Sequence, residues 1–226
     1  MLCVFDVNET LLDLTAMDDL FAGMTGTPSA RREWFDLVIR TALTVTAAES
    51  YRDFAEIAGL AAATVLARHG RRATDADRQA IGAGLRSLPA HADVPGALDR
   101  LSIAGARIVA LTNSPLATVE AQLTHAGIRD RFDGVFSAEE AGALKPAPAA
   151  YRVVLDAYRV DPAAAVMIAA HDWDIAGAGL AGLRTGFLAR PGHSLLPGTP
   201  QATFTAPDLD ALATQLLDAD QRHPQQ

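Results

Sequence analysis

One cysteine, Cys3, stands among 226 residues, so the chain cannot close a disulfide within itself. That suits a reducing compartment without requiring one. Long apolar runs are absent too. Nothing approaches the roughly 18 unbroken apolar residues of a membrane span, so no membrane partner is expected. The first apolar run, Leu2 to Val7, is too short for a signal peptide and lacks a basic start. The expected location is cytoplasmic. Basic residues are in deficit: 19 Lys and Arg against 27 Asp and Glu give a net charge of −8. An acidic surface argues against nucleic acid as the main partner. It does not exclude a small anionic substrate, because a cleft can carry a local charge opposite to the whole.

Hydrophobic residues make up 50% and charged residues 20%, the balance of an ordinary globular enzyme. The length suits one large domain, or a core with a smaller insert. Leu2 to Val7 reads LCVFDV, an apolar run broken only by Asp6. Such a run is typical of a buried parallel strand, with Cys3 as a small buried residue within it. From Ser29 to Leu88 no segment looks like a strand. Trp34, Val38, Thr41 and Val45 recur at helical spacing, as do Phe54, Ile57, Ala58, Ala61 and Val65. Thr74 reads as the N-cap of a third helix carrying Ile81, Leu85 and Leu88. Arg31, Arg32 and Glu33 read as a solvated helix face, and Phe35 as packing inside the bundle.

After Pro89 the pattern alternates. Helices are expected over 95–104, 116–126, 148–158, 175–181 and 209–217. Strands are expected over 107–111, 134–137, 165–170, 185–189 and 203–206. The polar tail 221–226 is expected to be disordered. Alternating units make an α/β fold: a Rossmann-like parallel sheet wrapped by helices. The sheet domain then comprises residues 1–14 and 89–226, with an inserted helical cap over 15–88.

Ligands of open parallel sheets bind at the carboxyl ends of the strands, and those ends are unusually polar here. They carry Asp6-Val7-Asn8-Glu9-Thr10, Thr112-Asn113-Ser114, Lys145-Pro146 and His171-Asp172-Trp173-Asp174. An acid at the end of an apolar strand is buried and needs partners. A lysine from a later loop supplies charge, and a hydroxyl and an amide supply donors. Together they make an anion pocket beside a carboxylate nucleophile.

The ordered set FDVNETL, LTNS, KP and AAHDWD, with a helical insert after the first, resembles the haloacid dehalogenase superfamily over nearly the whole chain. Within it the chain looks like the type II 2-haloacid dehalogenase branch. The evidence is the all-helical insert, YRDF at Tyr51 to Phe54, KP followed by Tyr151, and Trp173-Asp174.

The resemblance implies that Asp6 attacks C2 of a 2-haloalkanoate in line, halide leaves, and an aspartyl ester forms. Water then attacks the ester carbonyl and releases a 2-hydroxy acid of inverted configuration. Lys145 keeps Asp6 ionised. Thr112 and the amides of Val7 and Asn8 hold the substrate carboxylate, and Asn113 cradles the halide. Thr10 and Asp174 position the water, Asp174 as a candidate base. Phe54 and Trp173 wall the alkyl side, and Tyr151 and His171 complete the substrate site. No metal and no cofactor are implied. Family members often dimerise through cap helices, so a homodimer fits the resemblance.

A magnesium-dependent phosphatase is the rival within the superfamily. It uses a second acid two residues after the nucleophile, here Asn8, and another five before Asp174, here Ala169. A hard cation wants several anionic oxygens, and these two positions offer none. A third reading is a binding protein that has lost catalysis on this fold. Retention of Asp6, Lys145 and Asp174 speaks against it. The chain also departs from the dehalogenase pattern. Phe35 stands where an arginine stabilises the departing halide, and Asn8 where an aromatic is usual. Ala169 and Ala170 replace serines, and His171 replaces an asparagine.

Overall fold

The computed structural model describes residues 1–198 and 200–222. Its strands are β1 (Leu2–Phe5), β2 (Arg107–Thr112), β3 (Gly134–Ser137), β4 (Ala165–Ala169), β5 (Arg184–Leu188) and β6 (Phe204–Ala206). They form one sheet in the order β3-β2-β1-β4-β5-β6, with every neighbouring pair parallel. This is the α/β architecture read from the alternation of units. β1 lies between β2 and β4, so the chain winds outward to one side and then to the other. That is a topological switch point, where a crevice opens at the strand ends. Asp6, Asn113 and His171 follow the three strands that border it.

The apolar run of β1 has a direct cause. Cys3 and Phe5 pack into the core on one face of the sheet, and Leu2 and Val4 into the core on the other. Side chains alternate across a strand, so a central strand covered on both faces needs apolar residues at every position. Burial pushes the Cys3 thiol up to about 12, which leaves it an inert packing group.

Between β1 and Leu88 the chain forms four α-helices: α1 (Asp18–Thr25), α2 (Ala30–Ala47), α3 (Phe54–Arg68) and α4 (Asp75–Arg86). The last three follow the apolar spacing. Thr74 caps α4 in a reciprocal pair with Asp77. The spacing did not reveal α1, which is only eight residues long and buries Phe21 alone. Phe21 stacks on Trp34 at 5.0 Å, and the Trp34 indole donates to Ala58 O at 3.0 Å. These contacts tie α1, α2 and α3 together.

The remaining helices are α5 (Val94–Ile103), α6 (Leu116–His125), α7 (Pro148–Tyr158), α8 (Asp172–Leu180) and α9 (Leu209–Arg222). α8 starts at Asp172 rather than Ile175, so Trp173 and Asp174 sit in a first helical turn and not in a loop. Helix N-termini favour carboxylates, which explains the early start. α9 continues to Arg222, so Gln221 is helical; the rest of the expected disordered tail, 223–226, lies outside the described residues. Among the described residues no helix is long and apolar enough to cross a membrane.

Candidate active site

Asp6 follows β1 directly, and its backbone N–H donates across to Ile168 O of β4 at 3.0 Å. The side chain is therefore aimed by the sheet itself. Oδ1 accepts from Lys145 Nζ at 2.9 Å, and Oδ2 accepts from the Thr10 hydroxyl at 2.7 Å. The His171 ring approaches Oδ2 through Nδ1 at 3.2 Å. Burial opposes ionisation of Asp6, but the charge of Lys145 and the bonds from His171 and Lys145 outweigh it. They hold Asp6 well below the usual carboxylate range.

Lys145 is fully used. Its ammonium has three hydrogens, and it donates to Asp6, to Leu111 O at 3.0 Å and to Asp174 Oδ2 at 2.7 Å. Asn113 pins its backbone: Oδ1 accepts from Lys145 N at 2.8 Å, and Nδ2 donates to Lys145 O at 3.3 Å. Burial works against the charged lysine, but Asp174 and Asp6 raise its pKa.

Several residues sit differently from expectation. Asp174 is wholly buried, with Oδ2 on Lys145 and Oδ1 accepting from the Tyr151 hydroxyl at 2.7 Å. It orients Lys145 and lies away from the space beside Asp6. Burial, with the nearby charge of Asp6, raises its pKa against the pull of Lys145 and Tyr151. Tyr151, expected in the substrate site, supports Asp174 and does not line the space beside Asp6. Thr10 spends its hydrogen on Asp6 and accepts from Ala170 N at 3.0 Å, so it fixes the nucleophile and has no hydrogen left for water. The Val7 side chain is packed in the core, which leaves only its backbone for a ligand. The Asn8 side chain turns towards α6, donating to Ser114 Oγ at 3.2 Å and accepting from Gln122 Nε2 at 2.9 Å.

Thr112, Asn113, Lys145, His171, Trp173 and Phe54 do gather around Asp6, joined by Asn8, Phe35 and Ile39. The enclosed space is about 10 Å³, room for a single water. Phe35, expected as bundle packing, borders this space and the two larger cavities beside it. One of these, about 280 Å³, is walled by Trp34, Val38, Phe54, Ala58 and Ile81. The other, about 820 Å³, carries charged groups in its lining, among them Glu9, Arg31, Arg40, Arg190 and His193.

Four residues of that lining carry contacts that motif spacing did not signal. Glu9 has φ 61, a left-handed conformation costly for a residue with a β-carbon. Its Oε2 meets His171 Nε2 at 3.1 Å, and its Oε1 accepts from Arg31 at 3.2 Å. Arg31 is buried and also donates to Asp18 at 2.8 Å, so it is not part of a solvated face. His193 Nε2, in the turn after β5, lies 3.6 Å from Glu9 Oε2, the oxygen that meets His171. Arg190 donates to Thr10 O at 3.0 Å and to both Asp93 oxygens, clamping the nucleophile loop. Glu9 was legible only as an acid in the nucleophile loop; nothing local marked His193 or Arg190.

Glu9, His171 and His193 bring three ligand-type atoms within 4.8 Å of one another. His171 is already hydrogen-bonded at both ring nitrogens and Glu9 at both oxygens, so a cation there would compete with these bonds. Burial pulls the His171 pKa down, but its hydrogen bonds to Asp6 and Glu9 prevail and lift it to about 10.

The family model described as "haloacid dehalogenase-like hydrolase" matches residues 1–182. The haloacetate dehalogenase H-2 of Moraxella sp. (strain B) is 30% identical over 122 residues, 53% of this chain and 54% of that protein. The phosphoglycolate phosphatase of Rhodospirillum rubrum is 36% identical over 141 residues, 57% of this chain and 58% of that protein. The chain thus spans little more than half the length of each of these two relatives. Among solved structures, the L-2-haloacid dehalogenase of Xanthobacter autotrophicus with chloropropionic acid covalently bound superposes with TM-score 0.89. It covers 95% of this chain and 97% of its own at 20% identity, a likeness of fold. By its motifs, its sheet and the match over residues 1–182, the chain belongs to the haloacid dehalogenase-like hydrolases.

Proposed function

We propose that the protein is a 2-haloacid dehalogenase that works through an ester on Asp6. The observation that carries this reading is the state of Asp6: buried, ionised beside Lys145, and without a second acid at the position two residues on. A phosphatase of this fold needs anionic oxygens there and at Ala169. Asn8 instead spends its amide on Ser114 and Gln122, and Ala169 has no side-chain oxygen to give.

In the first step a carboxylate oxygen of Asp6 attacks C2 of the haloacid and halide departs. Thr112, whose hydroxyl accepts from Ser114 N at 3.1 Å, keeps its own hydrogen for the substrate carboxylate, beside the amides of Val7 and Asn8. Phe54 and Trp173 face the alkyl side, and the apolar cavity along Trp34 and Ile81 takes a longer chain. The helical insert over 15–88 acts as the cap. Phe35, Ile39 and Phe54 must shift to admit substrate, because the space beside Asp6 holds about one water as it stands. Water then attacks the ester carbonyl, restoring Asp6 and releasing a 2-hydroxy acid.

The test is a halide assay with (S)-2-bromopropionate, followed by a single turnover in heavy-oxygen water. The new oxygen should appear on Asp6 and reach product only in later turnovers. Label entering product directly, with Asp6 unlabelled, means that water attacks the substrate. Magnesium-dependent turnover of p-nitrophenyl phosphate well above halide release replaces the reading with a phosphatase.

A further inference from the structure

Both groups assigned to the hydrolytic water are otherwise engaged. Asp174 has its oxygens on Lys145 and Tyr151 and lies outside the space beside Asp6. Thr10 is committed to Asp6 and Ala170 N. His171 does border that space, with Nδ1 3.2 Å from Asp6 Oδ2. Its other nitrogen is held by Glu9 at 3.1 Å, and Glu9 is held by buried Arg31. Trp173 stacks on the ring at 5.1 Å, and His193 meets it edge-on at 5.2 Å. The result is a carboxylate–imidazole pair aimed at the nucleophile, the arrangement by which an acid orients a histidine base.

We propose that His171, positioned by Glu9, is the base of the second half-reaction, removing a proton from the water that attacks the Asp6 ester. This rests on the dehalogenase reading. Before reaction Asp6 is anionic, so its charge and its hydrogen bond keep His171 protonated. Ester formation removes both supports together. Burial still disfavours the cation, and Lys145, no longer neutralised by Asp6, repels it. Among the described residues in contact with the ring, Glu9 then favours the proton. His193 and Arg31 do not. His171 releases that proton towards the largest cavity, and Nδ1 opens to a water at the ester carbonyl.

The step balances. Water gives hydroxide to the carbonyl carbon of Asp6 and a proton to His171. The tetrahedral intermediate collapses, breaking the bond from that carbon to the alkyl oxygen. His171 returns its proton to the departing alkoxide, giving the 2-hydroxy acid. The new acid on Asp6 loses its proton and the starting charges return. Over the cycle, haloacid and water become hydroxy acid, halide and one proton.

The strain at Glu9 has its place in this scheme. A glycine adopts a positive φ without penalty, yet the chain holds a glutamate there at φ 61. Its side chain is what reaches His171.

The experiment is rapid-quench halide release with 2-bromopropionate on the full chain, with intact mass measured across the same time course. His171→Asn keeps a side-chain donor for Asp6 and removes the base. It should release about one halide per site in a burst, then slow by roughly 100-fold or more, the scale of general base catalysis. The ester should accumulate on Asp6 in that variant and not in the parent. Glu9→Gln should slow the second step by roughly tenfold, the lower end of what one hydrogen bond to a charged group supplies. It should also move the acidic limb of that step to lower pH, because the ring loses an anionic partner; a merely structural role would not move the limb. Full turnover by His171→Asn without ester overturns the proposal, and so does slow halide release with no burst. Absence of halide and ester from the parent protein sinks the dehalogenase reading itself, and this inference with it.

Discussion

Lys145 and Asp174 form an ion pair with Nζ 2.7 Å from Oδ2, and neither side chain is exposed. A pair this deep offers little net stability, but removing one member leaves an uncompensated charge and costs about 3–5 kcal/mol. Asp174→Asn keeps the shape and removes the charge. It should lower unfolding free energy by about 3 kcal/mol and reduce halide release at least tenfold, because Lys145 loses the anchor that aims it at Asp6. Urea unfolding and a halide assay on the same preparation check both. Unchanged stability with unchanged activity would mean that Lys145 is held without Asp174.

Tyr151 gives a finer test of the same support. Its hydroxyl is the donor to Asp174 Oδ1, so Tyr151→Phe leaves a buried carboxylate oxygen without its bond. Such a loss costs about 1–3 kcal/mol. Since Tyr151 lies outside the space beside Asp6, KM should hold while kcat and Tm fall. A KM effect with normal kcat would return Tyr151 to the substrate site, as the family resemblance implies.

The parts of this site that could be read from the chain are those fixed by local pattern. Asp6 ends an apolar run, and a buried central strand explains both the run and the exception. Thr112 and Asn113 end another strand, and Lys145 precedes a helix opened by Pro148. Each of these positions follows from one strand or one turn. Asp174 was visible as a residue, but its role was not, because that depended on where α8 begins. Starting three residues early buries Asp174 against Tyr151 and Lys145. Glu9, Arg31, and the pair Arg190 and His193 lie on three separate segments and acquire their contacts only in the folded chain. Glu9 and His193 are 184 positions apart yet lie 3.6 Å apart in space. No window of sequence joins them. α1 escaped for a different reason: one buried aromatic in eight residues gives no helical period to detect.

Stability should depend on alkaline pH through His171. Its pKa rises from an ordinary 6.5 to about 10 in the folded protein. A raised value means that the folded state binds the proton more tightly than the unfolded chain. The stabilisation is therefore complete below about pH 6.5 and is lost as pH climbs towards about 10. Tm measured across that interval should decline, and His171→Asn should decline less. Parallel curves for the two proteins would show that the ring carries no extra proton in the fold.

The ring centroids of Phe35 and His171 lie 6.2 Å apart, and the family resemblance implies a halide-stabilising arginine at the position of Phe35. A departing halide in a water-poor site needs donors. Phe35 offers only a ring edge of weak positive character. Asn113 cannot fully replace the arginine, because one amide hydrogen already goes to Lys145 O. Chloride is the poorer leaving group and should suffer more than bromide. The protein should therefore favour 2-bromo- over 2-chloropropionate. Phe35→Arg should then raise the chloride rate, and raise it more than the bromide rate. A charge-assisted hydrogen bond contributes about 1.5–3 kcal/mol, equivalent to roughly 10- to 100-fold. Two effects oppose the gain: the new charge sits near His171, and a buried ring is lost from the packing around Trp34. Tm should fall, so both rates belong at a temperature where the variant is folded by melt. A folded variant with no gain on chloride would mean that the halide leaves on another side of Asp6, served by a donor other than residue 35.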